Sequence, residues 1–92
     1  MGRKETVHKL LKALASEVFE FIRESEPAYP EGWVPAPHVK NSLGLNFIAV
    51  PLANIPRGEK GWLFLILARM LEDKGLLEYR KEGTRAYYRS KR

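Results

Sequence analysis

Residues 68–89 read Ala68-Arg69-Met70-Leu71-Glu72-Asp73-Lys74-Gly75-Leu76-Leu77-Glu78-Tyr79-Arg80-Lys81-Glu82-Gly83-Thr84-Arg85-Ala86-Tyr87-Tyr88-Arg89, and their period changes at Gly75. Before that glycine, apolar side chains recur at helical spacing; after it they alternate. Gly75 ends the helix because no Cβ opposes a left-handed turn there. Residues 76–81 then form one strand and residues 84–89 a second, joined at Glu82-Gly83, where Gly supplies the positive φ of a tight hairpin. With Lys81 opposite Thr84, Tyr79 faces Ala86 and Leu77 faces Tyr88 on one apolar face. Arg80 faces Arg85 and Glu78 faces Tyr87 on the polar one. The Arg80–Arg85 pair sets like charges side by side, a cost that an anion between them would remove.

Working back from Gly75, the long helix spans about residues 59–74. Leu63, Phe64, Ile66, Leu67, Met70 and Leu71 form a broad apolar arc. The other face holds Trp62, Leu65, Arg69, Glu72 and Asp73, unusually apolar at Trp62 and Leu65. Cover by the connection 47–55 explains these two side chains most simply. A self-dimer, or another protein, would also bury them. Residues 45–58 are broken by Pro51 and Pro56, which points to an ordered connection with one turn of helix near residues 52–55.

The first helix is the clearest element. Thr6 is the expected N-cap. Val7, Leu10, Leu11, Leu14, Val18, Phe21 and Ile22 lie on one face, with Lys9, Lys12, Glu17, Glu20, Arg23 and Glu24 opposite. Pro27 stops it. Residues 27–37, with four prolines, are a loop in which Trp33-Val34 forms a short strand. Pro37 opens a short second helix running to Leu43, and Gly44 caps it.

The 92 residues suit one domain, residues 1–92, and the chain carries net charge +5. Residues 1–16 hold Arg3, Lys4, Lys9 and Lys12 against Glu5, a net +3. Residues 17–32 hold Arg23 against five glutamates, a net −4. Residues 77–92 hold six basic residues against Glu78 and Glu82, a net +4. Positive charge gathered at the two ends suits a polyanion partner.

Several classes drop away. Without cysteine there is no disulfide, thiolate nucleophile or Cys-based zinc site. His8 and His38 have no second ligand at metal spacing. No carboxylate pair, nucleophile with base or phosphate loop can be assembled, so no catalytic residue, cofactor, metal or small-molecule substrate is expected. The charged start and the absence of any apolar run longer than residues 62–68 point to the cytoplasm rather than to secretion or a membrane.

The order helix, strand, short helix, long helix, hairpin resembles the winged helix-turn-helix family of DNA-binding domains. Leu71, Glu72, Gly75 and Leu76 sit where that family carries a Leu-Glu-x-x-Gly-Leu pattern, followed by a basic hairpin with Tyr87 and Tyr88 on its return strand. The resemblance implies an α+β winged helix: a three-helix bundle, a C-terminal β-hairpin wing, and a short strand near Trp33. It implies double-stranded DNA as partner and transcriptional regulation as role. The third helix would meet the major groove through Arg57, Lys60, Trp62 and Arg69. The wing would meet the backbone through Arg80, Lys81, Thr84 and Arg85. Arg69 also has a self-contained explanation, an ion pair with Asp73 one turn later. A protein-interaction module using the Trp62/Leu65 face, as a subunit or homodimer, is the alternative expectation.

Overall fold

A computed structural model describes residues 2–45 and 62–91. The described residues form three α-helices and a three-stranded antiparallel sheet, an α+β arrangement.

Helix α1 spans Arg3–Ser25. It begins a turn earlier than expected, with Gly2 and not Thr6 at the N-cap. Arg3, Lys4 and Glu5 are good helix formers, and Glu5 in the first turn suits the positive end of the helix dipole. The Thr6 amide therefore donates within the helix, to the Gly2 carbonyl at 3.4 Å. Pro27 ends α1 as expected. Two tight turns follow, Glu26–Ala28 and Pro30–Gly32, and Glu31 in the second adopts φ 56°.

Strand β1 is Val34–Pro35, one residue later than the expected Trp33-Val34. Pro35 lacks an amide proton and is tolerated because β1 lies at the sheet edge. Helix α2, Ala36–Ser42, carries Pro37 in its first turn. It closes on Gly44 at φ 68°, with the Leu45 amide donating to the Lys40 carbonyl at 2.8 Å and the Gly44 amide to the Asn41 carbonyl at 3.4 Å. This is a Schellman motif.

Helix α3 is described from Trp62 to Asp73. It ends in the same way: the Leu76 amide reaches the Leu71 carbonyl and the Gly75 amide the Glu72 carbonyl, both at 2.9 Å. Strands β2, Leu77–Glu82, and β3, Arg85–Ser90, complete the sheet in the order β1-β3-β2.

The core lies between the second half of α1, α2, α3 and the inner face of the sheet. Ile22, Val34, Val39, Phe64 and Leu67 are fully buried. Phe64 meets Tyr88 edge-on, ring centroids 5.3 Å apart at 90°, which locks α3 to β3. His38 stacks on Phe21 at 5.5 Å with Tyr29 beside it, so it belongs to the packing of α1 on α2. Among the described residues, no helix is long and apolar enough to cross a membrane.

On α3 the buried positions are Phe64, Leu67, Ala68 and Leu71. Ile66, expected in that arc, lies roughly 150° from its centre at 100° per residue and is exposed. Trp62, expected on the exposed face, is half-buried. A side chain that large is costly to leave in water. The connection 45–58, with its expected turn at 52–55 and cover by 47–55, lies outside the described residues, apart from Leu45.

Candidate nucleic-acid interface

The hairpin is where expected, but its register differs by two residues. Leu77 pairs with Ser90, Glu78 with Arg89, Tyr79 with Tyr88, Arg80 with Tyr87, Lys81 with Ala86 and Glu82 with Arg85. The connecting residues are Gly83 and Thr84 rather than Glu82 and Gly83. Gly83 has φ 61° and Thr84 is not at positive φ, the pattern of a type II′ turn. A slip of two leaves every side chain on its expected face, because the side-chain period is two. The observed register replaces the like-charged Arg80–Arg85 pair with two opposite-charge pairs, Glu78–Arg89 and Glu82–Arg85. Cross-strand pairs of that kind favour it.

The outer face of the sheet carries Arg80, Arg85 and Arg89 among carboxylates. Arg89 is the most engaged. Its Nε lies 2.9 Å from Glu78 Oε2, its Nη1 donates to the Glu31 carbonyl at 2.9 Å, and its guanidinium sits 4.2 Å from the Trp33 ring centroid. The Ser90 amide donates to Glu26 Oε2 at 2.7 Å. The end of β3 is thus tied to the loop after α1. Arg80 pairs with Glu82, and its guanidinium carbon lies 5.7 Å from the Trp33 ring centroid. Trp33, Pro35, Tyr29 and Tyr87 border a hollow of about 360 Å³ with Arg80 and Glu82 at its rim.

The inner face points toward α3. Between them runs an open groove of about 600 Å³, lined by Leu65, Ile66, Met70, Tyr79 and Ala86. Leu65 and Ile66 are 45% and 47% exposed. Arg69, also on this groove, pairs with Asp73 at 3.4 Å, the self-contained contact that the four-residue spacing suggests. Lys81 alternates onto this inner side, exposed, opposite Ala86.

The wing cations therefore divide: Arg80 and Arg85 on one face, Lys81 on the other, with Thr84 exposed at the tip. Arg69 shares the Lys81 side. Arg57 and Lys60 lie outside the described residues. Arg89 was not singled out from the sequence. Its role depends on pairing across the sheet, and no local motif marks it. Among the described residues, no group of three His, Asp or Glu side chains is placed to hold a metal.

No protein-family model matches this chain, and neither the curated proteins nor the solved structures provide a significant match. The fold itself defines the class: a small α+β domain with a three-stranded antiparallel sheet and a basic terminal hairpin.

Proposed function

We propose that this chain is a winged-helix domain that binds double-stranded DNA, with α3 toward the major groove and the β2–β3 hairpin on the phosphate backbone. The supporting observation is topological. A helix, a strand, two helices and a hairpin follow one another, and the first strand pairs with the last. This is the order expected of a winged helix, and it brings the hairpin beside α3.

Backbone contact rests on Lys81, Thr84 and Arg85 at the hairpin tip. Arg80 can join them, since its exposed pair with Glu82 is worth less than about 1 kcal/mol and a phosphate can replace that carboxylate. Arg89, held by Glu78, the Glu31 carbonyl and the Trp33 ring, stays with the fold. Arg69 is the cation that α3 offers to a base edge among the described residues, and Glu72 and Asp73 stand next to it. Binding is accordingly dominated by phosphate contacts and tolerant of sequence. A role in transcription regulation fits such a module.

Fluorescence anisotropy with a random duplex tests this directly. A Kd of about 1–100 µM is expected, weakening steeply between about 50 and 200 mM salt. Lys81→Ala with Arg85→Ala should flatten the logarithmic salt slope by about 1 per cation removed. No binding at these concentrations, or binding indifferent to salt, would overturn the proposal.

The groove of Leu65, Ile66 and Tyr79 favours a second reading, a protein-docking module. Trp62, half-buried, and Leu65 would lie at or near its contact. In that case Leu65→Ser leaves DNA affinity unchanged and abolishes capture of the partner.

A further inference from the structure

The first half of α1 leaves the core. Its buried positions, Ala15, Val18 and Ile22, all lie in the second half. Ahead of them Val7, Leu10 and Leu14 are 51%, 60% and 44% exposed, and Leu11 beside them is half-buried. The spacing of three and four residues puts Val7, Leu10 and Leu14 on one stripe of the helix. Three large aliphatic side chains on one stripe are a contiguous apolar surface rather than scattered exposure.

We propose that this stripe is a homodimer interface, in which two copies of α1 pack antiparallel about a two-fold axis near Leu10. The charge pattern selects the occupant. Arg3 and Lys4 precede the stripe and Glu17 follows it, all exposed, and none makes an ion pair among the described residues. With the axis at Leu10, Arg3 of one copy meets Glu17 of the other, and Lys4 lies alongside. A parallel pair would instead set Arg3 and Lys4 against themselves. An anionic lipid surface would attract the start of α1 but repel Glu17, Glu20 and Glu24 further along, whereas a second copy uses both signs. Two-fold pairing is also the commonest oligomer symmetry and makes each contact twice.

The contact spans about four turns of helix from each copy. It falls below the roughly 1,600 Å² of a standard interface, so association at micromolar concentration or weaker is expected. The proposal does not depend on DNA binding, and its test contains no nucleic acid.

Sedimentation velocity from about 5 to 500 µM should show a monomer–dimer equilibrium. Leu10→Glu should weaken it at least about tenfold while circular dichroism stays unchanged, because Leu10 carries no core contact to lose. Arg3→Glu and Glu17→Arg should each weaken the dimer, and the double variant should restore it. In a parallel pair the single reversals would not be rescued by each other. A monomer at every concentration overturns the proposal, as does a dimer insensitive to Leu10→Glu. So does a monomer that co-sediments with vesicles of phosphatidylglycerol and phosphatidylcholine through Leu10.

Discussion

Arg89 and Tyr88 are neighbours in β3 with opposite tasks. Arg89 lies on the outer face, where Glu78, the Glu31 carbonyl and the Trp33 ring share its charge. Removing it with Arg89→Ala takes one charged partner from the partly buried Glu78 carboxylate and uncovers the indole. A loss of about 1–3 kcal/mol in urea unfolding is expected. Arg80→Ala, with a more exposed pair, should cost less than about 1 kcal/mol. Tyr88 faces inward and is 3% exposed. Burial, then the charge of Glu72, then Tyr79, push its hydroxyl from 10.0 up to about 12. The unfolded chain loses this proton first, so stability attributable to Tyr88 is intact below pH 10 and declines as pH rises toward about 12. The decline is roughly 2–3 kcal/mol at full ionisation. Tyr88→Phe should remove that part of the alkaline slope in melts between pH 10 and 12, and an unchanged slope would assign it to other groups.

Among the elements, those with a strong period were legible from sequence. Seven apolar positions at helical spacing define α1, and the switch from helical to alternating pattern at Gly75 places the end of α3 and the start of the hairpin. Gly44 and Gly75 mark both Schellman ends. Gly75 sits at φ 73° with open space around an added Cβ, so Gly75→Ala meets only the backbone penalty of the left-handed region. A loss of about 1 kcal/mol is expected, and less for Gly75→Asn, which tolerates that region better. Register was not legible. Slips of two are degenerate in face pattern, and Glu82-Gly83 and Gly83-Thr84 are both acceptable tight turns. Only the charge pairing across the strands separates them, and it decides which arginines stay available at the wing. The candidate site was legible to the same extent: alternation along the strands already sets Arg80 and Arg85 on one face and Lys81 on the other, but the contacts of Arg89 with Trp33 and Glu31 depend on partners far away in sequence. The stripe on α1 looked like core throughout, because periodicity shows which side of a helix is apolar and not where the rest of the protein stops.

At the scale of the whole molecule, the core is concentrated at one end of α1. The other end has its own hydrogen bonds but no buried side chain before Ala15. A helical stretch of about 12 residues is marginal on its own in water. Hydrogen exchange should therefore run faster for amides of residues 6–12 than for residues 18–25 in dilute protein. Raising the concentration through the dimer range should slow the first group selectively. Equal protection along α1 in dilute protein would mean that the front half is held by something within one chain.

The sheet order β1-β3-β2 has a bearing on synthesis. Both outer strands hydrogen-bond to Arg85–Ser90 and not to each other. A chain cut short at Glu82 contains every helix of the described residues, yet Val34 and Leu77 have nothing between them. A stop codon at that point would yield a fragment missing its keystone, its unfinished sheet open to chaperones and proteases.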